Sequence, residues 1–153
     1  MQSKVLSLLF TLTVVLSACA TGKSDPFTPE ALVGGQSAIV YIYRPPAKLQ
    51  WNIAAAFEVD KRPAGKIKPG GYLKIRLEPG IHAIGWREQA FGLPLYGRSI
   101  KVPVQTGESY YVRADRNLET LTYSPSGPMP IYGMKLTLVP NHQAIAELKQ
   151  KQH

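Results

Sequence analysis

Apolar positions in this chain recur with a period of two over most of its length. Leu73, Ile75 and Leu77 alternate with Tyr72, Lys74 and Arg76, which predicts a strand with one buried and one solvated face. The same alternation sets Ile100, Val102 and Val104 against Lys101 and Pro103, and Tyr110, Val112 and Ala114 against Tyr111 and Arg113. It returns in Met134, Leu136 and Leu138 against Lys135 and Thr137. Residues 38–43 are apolar at every position and rich in β-branched and aromatic side chains, as a central strand requires. Shorter strands are predicted at 53–59, 64–68 and 81–86, separated by turns at Asp60-Lys61-Arg62-Pro63, Pro69-Gly70-Gly71 and Glu78-Pro79-Gly80. Pro103 cannot donate to a ladder, so its strand belongs at an edge or carries a bulge. Seven or eight strands at this spacing predict an all-β fold, a single antiparallel β-sandwich of the immunoglobulin-like kind.

The period changes at both ends. After Pro140, Ala144, Ile145 and Leu148 form a helical stripe over 141–153, with Asn141 as the expected cap and Glu147 four residues before Lys151. Three turns are marginal alone in water, so the stripe should pack on the sheet. Residues 1–4 are short and basic, and 5–16 are apolar; this order is that of a secretory signal. The apolar run is too short for a bilayer, which needs roughly 20 residues. Residues 19–36 are rich in Gly, Pro, Ser and Thr and read as a tether, with Phe27, Leu32 and Val33 able to dock on the domain. The expected organisation is a signal (1–18), a tether (19–36), a sandwich (37–140) and a helix (141–153).

The signal ends in Leu16-Ser17-Ala18-Cys19, which holds the chain's single cysteine. This tetrapeptide resembles the bacterial lipobox. The resemblance implies cleavage before Cys19 and covalent diacylglycerol and N-acyl (palmitate-type) chains on it. Two or more buried chains hold a protein stably on a membrane. Ala20 stands where an inner-membrane retention signal usually places Asp. The resemblance therefore implies delivery to the outer membrane of a Gram-negative cell, facing the periplasm, with outer-membrane lipid as the first partner. The plainer alternative is an ordinary cleaved signal that leaves a free thiol, a liability in an oxidising compartment.

Composition changes the picture in one respect. The chain carries a formal charge of +8, and about +7 once Lys4 has left with the signal. That excess suits anionic lipid, peptidoglycan carboxylates or an acidic protein, and the expected envelope compartment argues against nucleic acid. Tyr72, Lys74, Arg76, Lys101, Tyr111 and Arg113 all alternate outward on their strands and would form a basic face if those strands were neighbours. The simpler reading of them is a solvated sheet surface. A second candidate surface is the apolar stretch after Trp86 and Arg87: Phe91, Leu93, Leu95 and Tyr96, flanked by Arg98. Aromatic residues with arginine match the makeup of interface hot spots, so this predicted loop is a candidate for binding an envelope protein. It could equally fold over one end of the sandwich. The stretch from Tyr123 to Pro130, with three prolines, is predicted to be a turn-rich connection.

Several ordered pieces carry a family likeness: Val40-Tyr41-Ile42-Tyr43-Arg44-Pro45, Phe57-Glu58-Val59-Asp60-Lys61-Arg62-Pro63-Ala64-Gly65-Lys66, Lys68-Pro69-Gly70-Gly71-Tyr72, Leu77-Glu78-Pro79-Gly80-Ile81-His82 and Gly107-Glu108-Ser109-Tyr110-Tyr111-Val112-Arg113. Together they resemble the bacterial lipoprotein domain known as domain of unknown function 2846, over roughly 38–138. The Pro-Gly-x-His turn alone is also similar to PEGA-type β-sandwich modules. Arg62 and the insertion-like stretch 88–97 depart from the pattern. The resemblance implies a β-sandwich and an envelope location, and no activity.

Chemistry is sparse. His82 follows a hairpin turn, and His142 and His153 lie eleven apart at the C-terminus, a poor metal spacing. Ser99, Ser109, Ser124 and Ser126 lack a nucleophile motif. Glu58 and Asp60 precede a basic turn and read as a solvated hairpin end. The glycine pairs lack a strand-loop-helix context for phosphate. The sequence therefore points away from an enzyme and from any metal or cofactor. It points to a non-catalytic, lipid-anchored envelope lipoprotein that binds or scaffolds a protein partner, with peptidoglycan or anionic-lipid contact through the basic face as the alternative.

Overall fold

A computed structural model describes residues 27–32, 37–46, 54–90, 93–96 and 99–150. Nine strands and one helix lie within them: β1 (Ala38–Tyr43), β2 (Ala55–Val59), β3 (Arg62–Ile67), β4 (Tyr72–Leu77), β5 (Gly80–Ala90), β6 (Leu93–Tyr96), β7 (Ile100–Val104), β8 (Ser109–Ser124), β9 (Gly127–Val139) and α1 (Asn141–Lys149). They form two sheets, one ordered β4-β1-β8-β9 and the other β3-β2-β5-β6, with β7 also paired to β5. The fold is an all-β sandwich with a short C-terminal helix. Every pairing is antiparallel except that of β1 with β8, which is parallel.

The inner faces of the two sheets bury an aliphatic core. Val40 and Ile42 of β1, Phe57 and Val59 of β2, Ile84 and Trp86 of β5, Val102 of β7, Val112 of β8 and Leu136 of β9 meet there. Leu73, Ile75 and Leu77 point into the same core, as their alternation predicts. The outer face of the first sheet is also buried. Ile39, Tyr41 and Tyr43 of β1 and Tyr111 of β8 pack beneath Phe27 on one side and Ala144 and Leu148 of α1 on the other. A third layer, built from the two ends of the domain, thus explains why β1 is apolar on both faces. Phe27 and Leu32 dock as their side chains suggest; Val33 lies outside the described residues.

Three sequence expectations change. The stretch after Trp86 is not a loop. β5 continues to Ala90, and Leu93–Tyr96 folds back on Arg87–Ala90 as β6. The turn-rich connection is the tip of a long hairpin, in which Tyr123 pairs with Pro128 and Ser124 with Gly127. Those prolines pass as strand residues because β9 is an edge strand, where a missing donor breaks no ladder. Pro103 likewise sits in β7, which pairs with β5 alone among the described strands. Finally, Asn141 does not cap the helix. Pro140 occupies that position, with φ −57° and ψ 142°, and makes no side-chain bond. Its carbonyl accepts the first helical bond, from the Ala144 N–H at 3.0 Å.

The register defines two unlike ends. At one end Leu77 leads through a tight turn to Gly80, which pairs with Val104, and Gly107 N–H bonds the Ser37 carbonyl. At the other end Arg44 is buried and donates to the Ile67 carbonyl at 2.9 Å. Both projecting hairpins, β5–β6 and β8–β9, leave from this second end. β5 runs past Arg87, whose partner Ala56 lies near Ile67, and β8 runs past Arg113, the partner of Tyr43.

Candidate functional site: a covered outer face and two projecting hairpins

The outer face of the first sheet collects most of the predicted basic residues. Strands β4 and β8 flank β1, and the register sets Tyr72 beside Tyr43, Lys74 beside Tyr41 and Arg76 beside Ile39. Tyr111 and Arg113 lie beside Tyr41 and Tyr43 on the other side. Five of the six candidates therefore share one face; Lys101 is exposed on β7, in the other sheet.

That face is not a free positive patch, because the third layer covers or neutralises it. Phe27 is edge-on to Tyr41, Tyr72 and Tyr111, with centroids 5.3, 5.2 and 6.4 Å away. Tyr41 and Tyr111 stack at 5.1 Å and 10°. The Glu30 carboxylate, three residues on, pairs with both Lys74 and Arg76. The Lys74 hydrogen bond and both cations pull Glu30 below the usual carboxylate range, and Lys74 is raised in return. The Tyr41 hydroxyl accepts the Glu30 N–H at 2.9 Å.

Arg113 is consumed in the same way by α1. Its Nε reaches Asp115 Oδ2 at 2.7 Å and one terminal nitrogen reaches Glu147 Oε1 at 3.0 Å. Glu147 also accepts from the Tyr43 hydroxyl at 2.7 Å and from Gln143 at 2.9 Å. Burial would raise Glu147, but these donors outweigh it and hold its carboxyl below its ordinary value. Tyr43 is pushed well above its ordinary value by burial and by the neighbouring Glu147 carboxylate. The sequence reading missed Glu30, Asp115, Glu147, Tyr41 and Tyr43. The one available signal was the pair of tyrosines at alternate positions of β1, whose hydroxyls need partners once buried.

His82, which follows the β4–β5 turn, is held between two acceptors. Its Nδ1 lies 2.7 Å from Asp60 Oδ2 and its Nε2 2.9 Å from the Glu78 carbonyl. Both neighbours are acceptors, so the imidazolium satisfies both, and the bonds to Asp60 and Glu78 raise the His82 pKa. Asp60 is lowered by His82 and by the Ala83 N–H, which reaches its Oδ1 at 2.8 Å. Asp60 and Lys61 have φ of 51° and 65°, the two left-handed residues of a type I′ hairpin turn. The Asp60 bonds hold that turn against the neighbouring strand β5, with Ala83 and Asp60 backbones also bonded at 2.8 Å.

The second predicted surface is only partly in view. Trp86 is buried in the core opposite Phe57, which removes it from the candidate binding set. Its place in β5, on the inward parity of Ile84, decides this. Its indole nitrogen has no hydrogen-bond partner among the described residues. Arg87 faces Glu58, 3.2 Å away, across the β2–β5 pair. Leu93, Leu95 and Tyr96 lie on β6, and Phe91 and Arg98 fall outside the described residues. Cys19 does also. The other hairpin, β8–β9, exposes Tyr123 and Leu121 at 82% and 53%.

Among the described residues, no three His, Cys, Asp or Glu side chains gather to hold a metal ion. No helix there is long and apolar enough to cross a membrane. The sequence model of a family described as protein of unknown function (DUF2846) matches residues 35–126. No curated protein matches the chain.

Proposed function

We propose that this chain, which belongs to the DUF2846 family, is a non-catalytic binding or scaffolding module held in a bacterial envelope by lipid on Cys19. The observation that carries the proposal is the docking of residues 27–32. Phe27 is 4% exposed and Glu30 spans Lys74 and Arg76, so residues 27–32 are fixed to a defined face of the sandwich. A membrane anchor at Cys19 would then hold the domain within eight residues of the bilayer, as a module that presents a surface at the membrane requires.

The non-catalytic reading draws on how the acid–base groups are employed. Both His82 nitrogens are held by acceptors, and Glu30, Asp60, Asp115 and Glu147 are paired. Of the two partner classes, an envelope protein is favoured over peptidoglycan, because Lys74, Arg76 and Arg113 already have carboxylate partners within the domain.

Two experiments test this reading. The full chain should fractionate with membranes and yield an acylated Cys19 peptide, and Cys19→Ser should release it. A photocrosslinker at Leu93, with the anchor intact, should give a discrete protein band that resists high salt. A soluble, unacylated wild type would overturn the anchor. A folded, abundant protein with no band would overturn the protein partner at β6.

A further inference from the structure

The geometry points to the tip of the β8–β9 hairpin as a second contact with the bilayer, in which Tyr123 and Leu121 enter the interfacial layer of the membrane that holds Cys19. This inference rests on the lipid-anchor reading above.

Four observations carry it. First, one face of the tip is both apolar and exposed. Tyr123 and Leu121 lie two apart and so share one face, with Pro128 and Pro130 directly opposite them. Tyrosine beside leucine and proline, on a hairpin whose remaining side chains are uncharged, is the side chain that settles at a membrane–water interface. Second, the ribbon is uncharged where it projects. No Asp, Glu, Lys or Arg occurs between 120 and 134, while Asp115, Arg116, Glu119 and Lys135, of both signs, mark its base. The whole chain is 18% charged, so a gap of this length is selective.

Third, direction and reach agree. The described chain runs from Phe27, over Tyr72, to Glu30, beside Lys74 and Arg76. Followed backwards, it heads for the end where β8 outruns β1. Cys19 is eight residues from Phe27, a span of at most about 29 Å when extended. Ten residues separate Arg113, the last partner of β1, from Tyr123, on the order of 30 Å of strand. The anchor and the tip can therefore meet one surface. The β5–β6 hairpin leaves from this end as well.

Fourth, a partner strand is a poor occupant along β9. The ladder through Tyr123–Pro128 and Leu121–Pro130 is continuous, so the proline nitrogens face outward and offer no donors to an added strand. A closed hairpin satisfies its own ladder, and at interfacial depth its remaining polar groups stay in contact with water and headgroups.

The test uses the acylated full chain. Cys19 is consumed by lipid, so Tyr123→Cys supplies a single thiol for an environment-sensitive nitrobenzoxadiazole label. Thr106→Cys, at the opposite end, is the control. Each protein is reconstituted in phosphatidylethanolamine–phosphatidylglycerol vesicles with and without doxyl-labelled lipid, and flotation is recorded alongside. A blue-shifted emission at 123, quenched by doxyl lipid at least threefold more than at 106, is expected. Flotation with water-like emission at 123 overturns the inference and leaves the anchor standing. A blue shift without lipid quenching also overturns it, and assigns the tip to a protein contact. Failure to float removes the anchor and the inference with it.

Discussion

The two faces of the first sheet are buried by different means. Val40 and Ile42 on the inner face pack in the aliphatic core shared with the second sheet. Ile39, Tyr41 and Tyr43 on the outer face meet two terminal segments, and both tyrosine hydroxyls are bonded to those segments, at Glu30 and Glu147. The inner face is tied into ladders that cross the whole domain. The outer layer is attached through one aromatic cluster, a few ion pairs and nine residues of helix. The inner face makes the sandwich, and the outer face makes it dock its own ends. Unfolding should reflect that: loss of inner packing ends the fold, whereas loss of outer packing first detaches a segment.

The largest effect is expected inside. Ile42→Ala empties a fully buried site and should cost about 2–5 kcal/mol, read as a cooperative fall in denaturation midpoint. Phe27→Ala removes a comparable buried side chain from the outer layer, yet its segment can release as a unit. Its cost to global stability should stay nearer about 1–2 kcal/mol. Hydrogen exchange at the Glu30 amide, which Tyr41 accepts, should rise in Phe27→Ala far more than exchange within β1. Equal global losses from the two variants would erase the distinction between the faces.

Tyr43→Phe tests the helix side. It deletes a hydroxyl that donates to Glu147, a partly buried carboxylate that also holds Arg113. The expected loss is about 1 kcal/mol, concentrated in protection of α1. A loss spread evenly over β1, β8 and α1 would show that the helix is no separable layer.

Much of this arrangement was legible in the sequence. Period-two alternation located β4, β7 and the cores of β8 and β9, because each has one apolar and one polar face. The fully apolar 38–43 marked a strand covered on both sides. Nothing local said what covers it. The cover comes from residues far off in the chain, and Glu30 lies in a stretch that reads as a linker. The lengths of β8 and β9 and the existence of β6 were missed for one reason. The apolar and polar residues of these ribbons do not alternate with a period of two, and Pro94, Pro128 and Pro130 look like breakers until they are placed on edges. The basic residues were assigned to the right face, Lys101 apart, but alternation carries no information about counter-ions.

The Asp60–His82 pair lies away from both layers and sets a control. His82 is raised in the folded state, so its contribution is complete below its ordinary pKa of 6.5 and is lost as pH climbs through the folded value. Asp60 is lowered, so its contribution is complete above its ordinary 3.8 and is lost as pH falls through the folded value. The pair is therefore at full strength between these ordinary values and weakens above pH 6.5. Solvent screens it, so about 0.5–1 kcal/mol is expected at most. Melting between pH 6 and 8 should slope downward in the wild type and flatten in His82→Gln. An unchanged slope would assign the pH dependence elsewhere.

The smallest effect on stability should come from Glu30→Gln, and it is the sharpest test of what the outer face presents. The carboxylate pairs with Lys74 and Arg76 at the solvent boundary, where ion pairs add little to folding. The melting temperature should scarcely move, since Phe27 and the Glu30 backbone bond to Tyr41 still hold the segment. The surface should change instead. Two cations lose their shared counter-charge, so retention on a cation exchanger and co-sedimentation with anionic vesicles or peptidoglycan should both increase, and both gains should vanish as salt is raised. If Glu30→Gln binds no more strongly than the wild type, the native pairing hides no competent basic face, and the outer side of this sheet serves only to seat residues 27–32 and the helix.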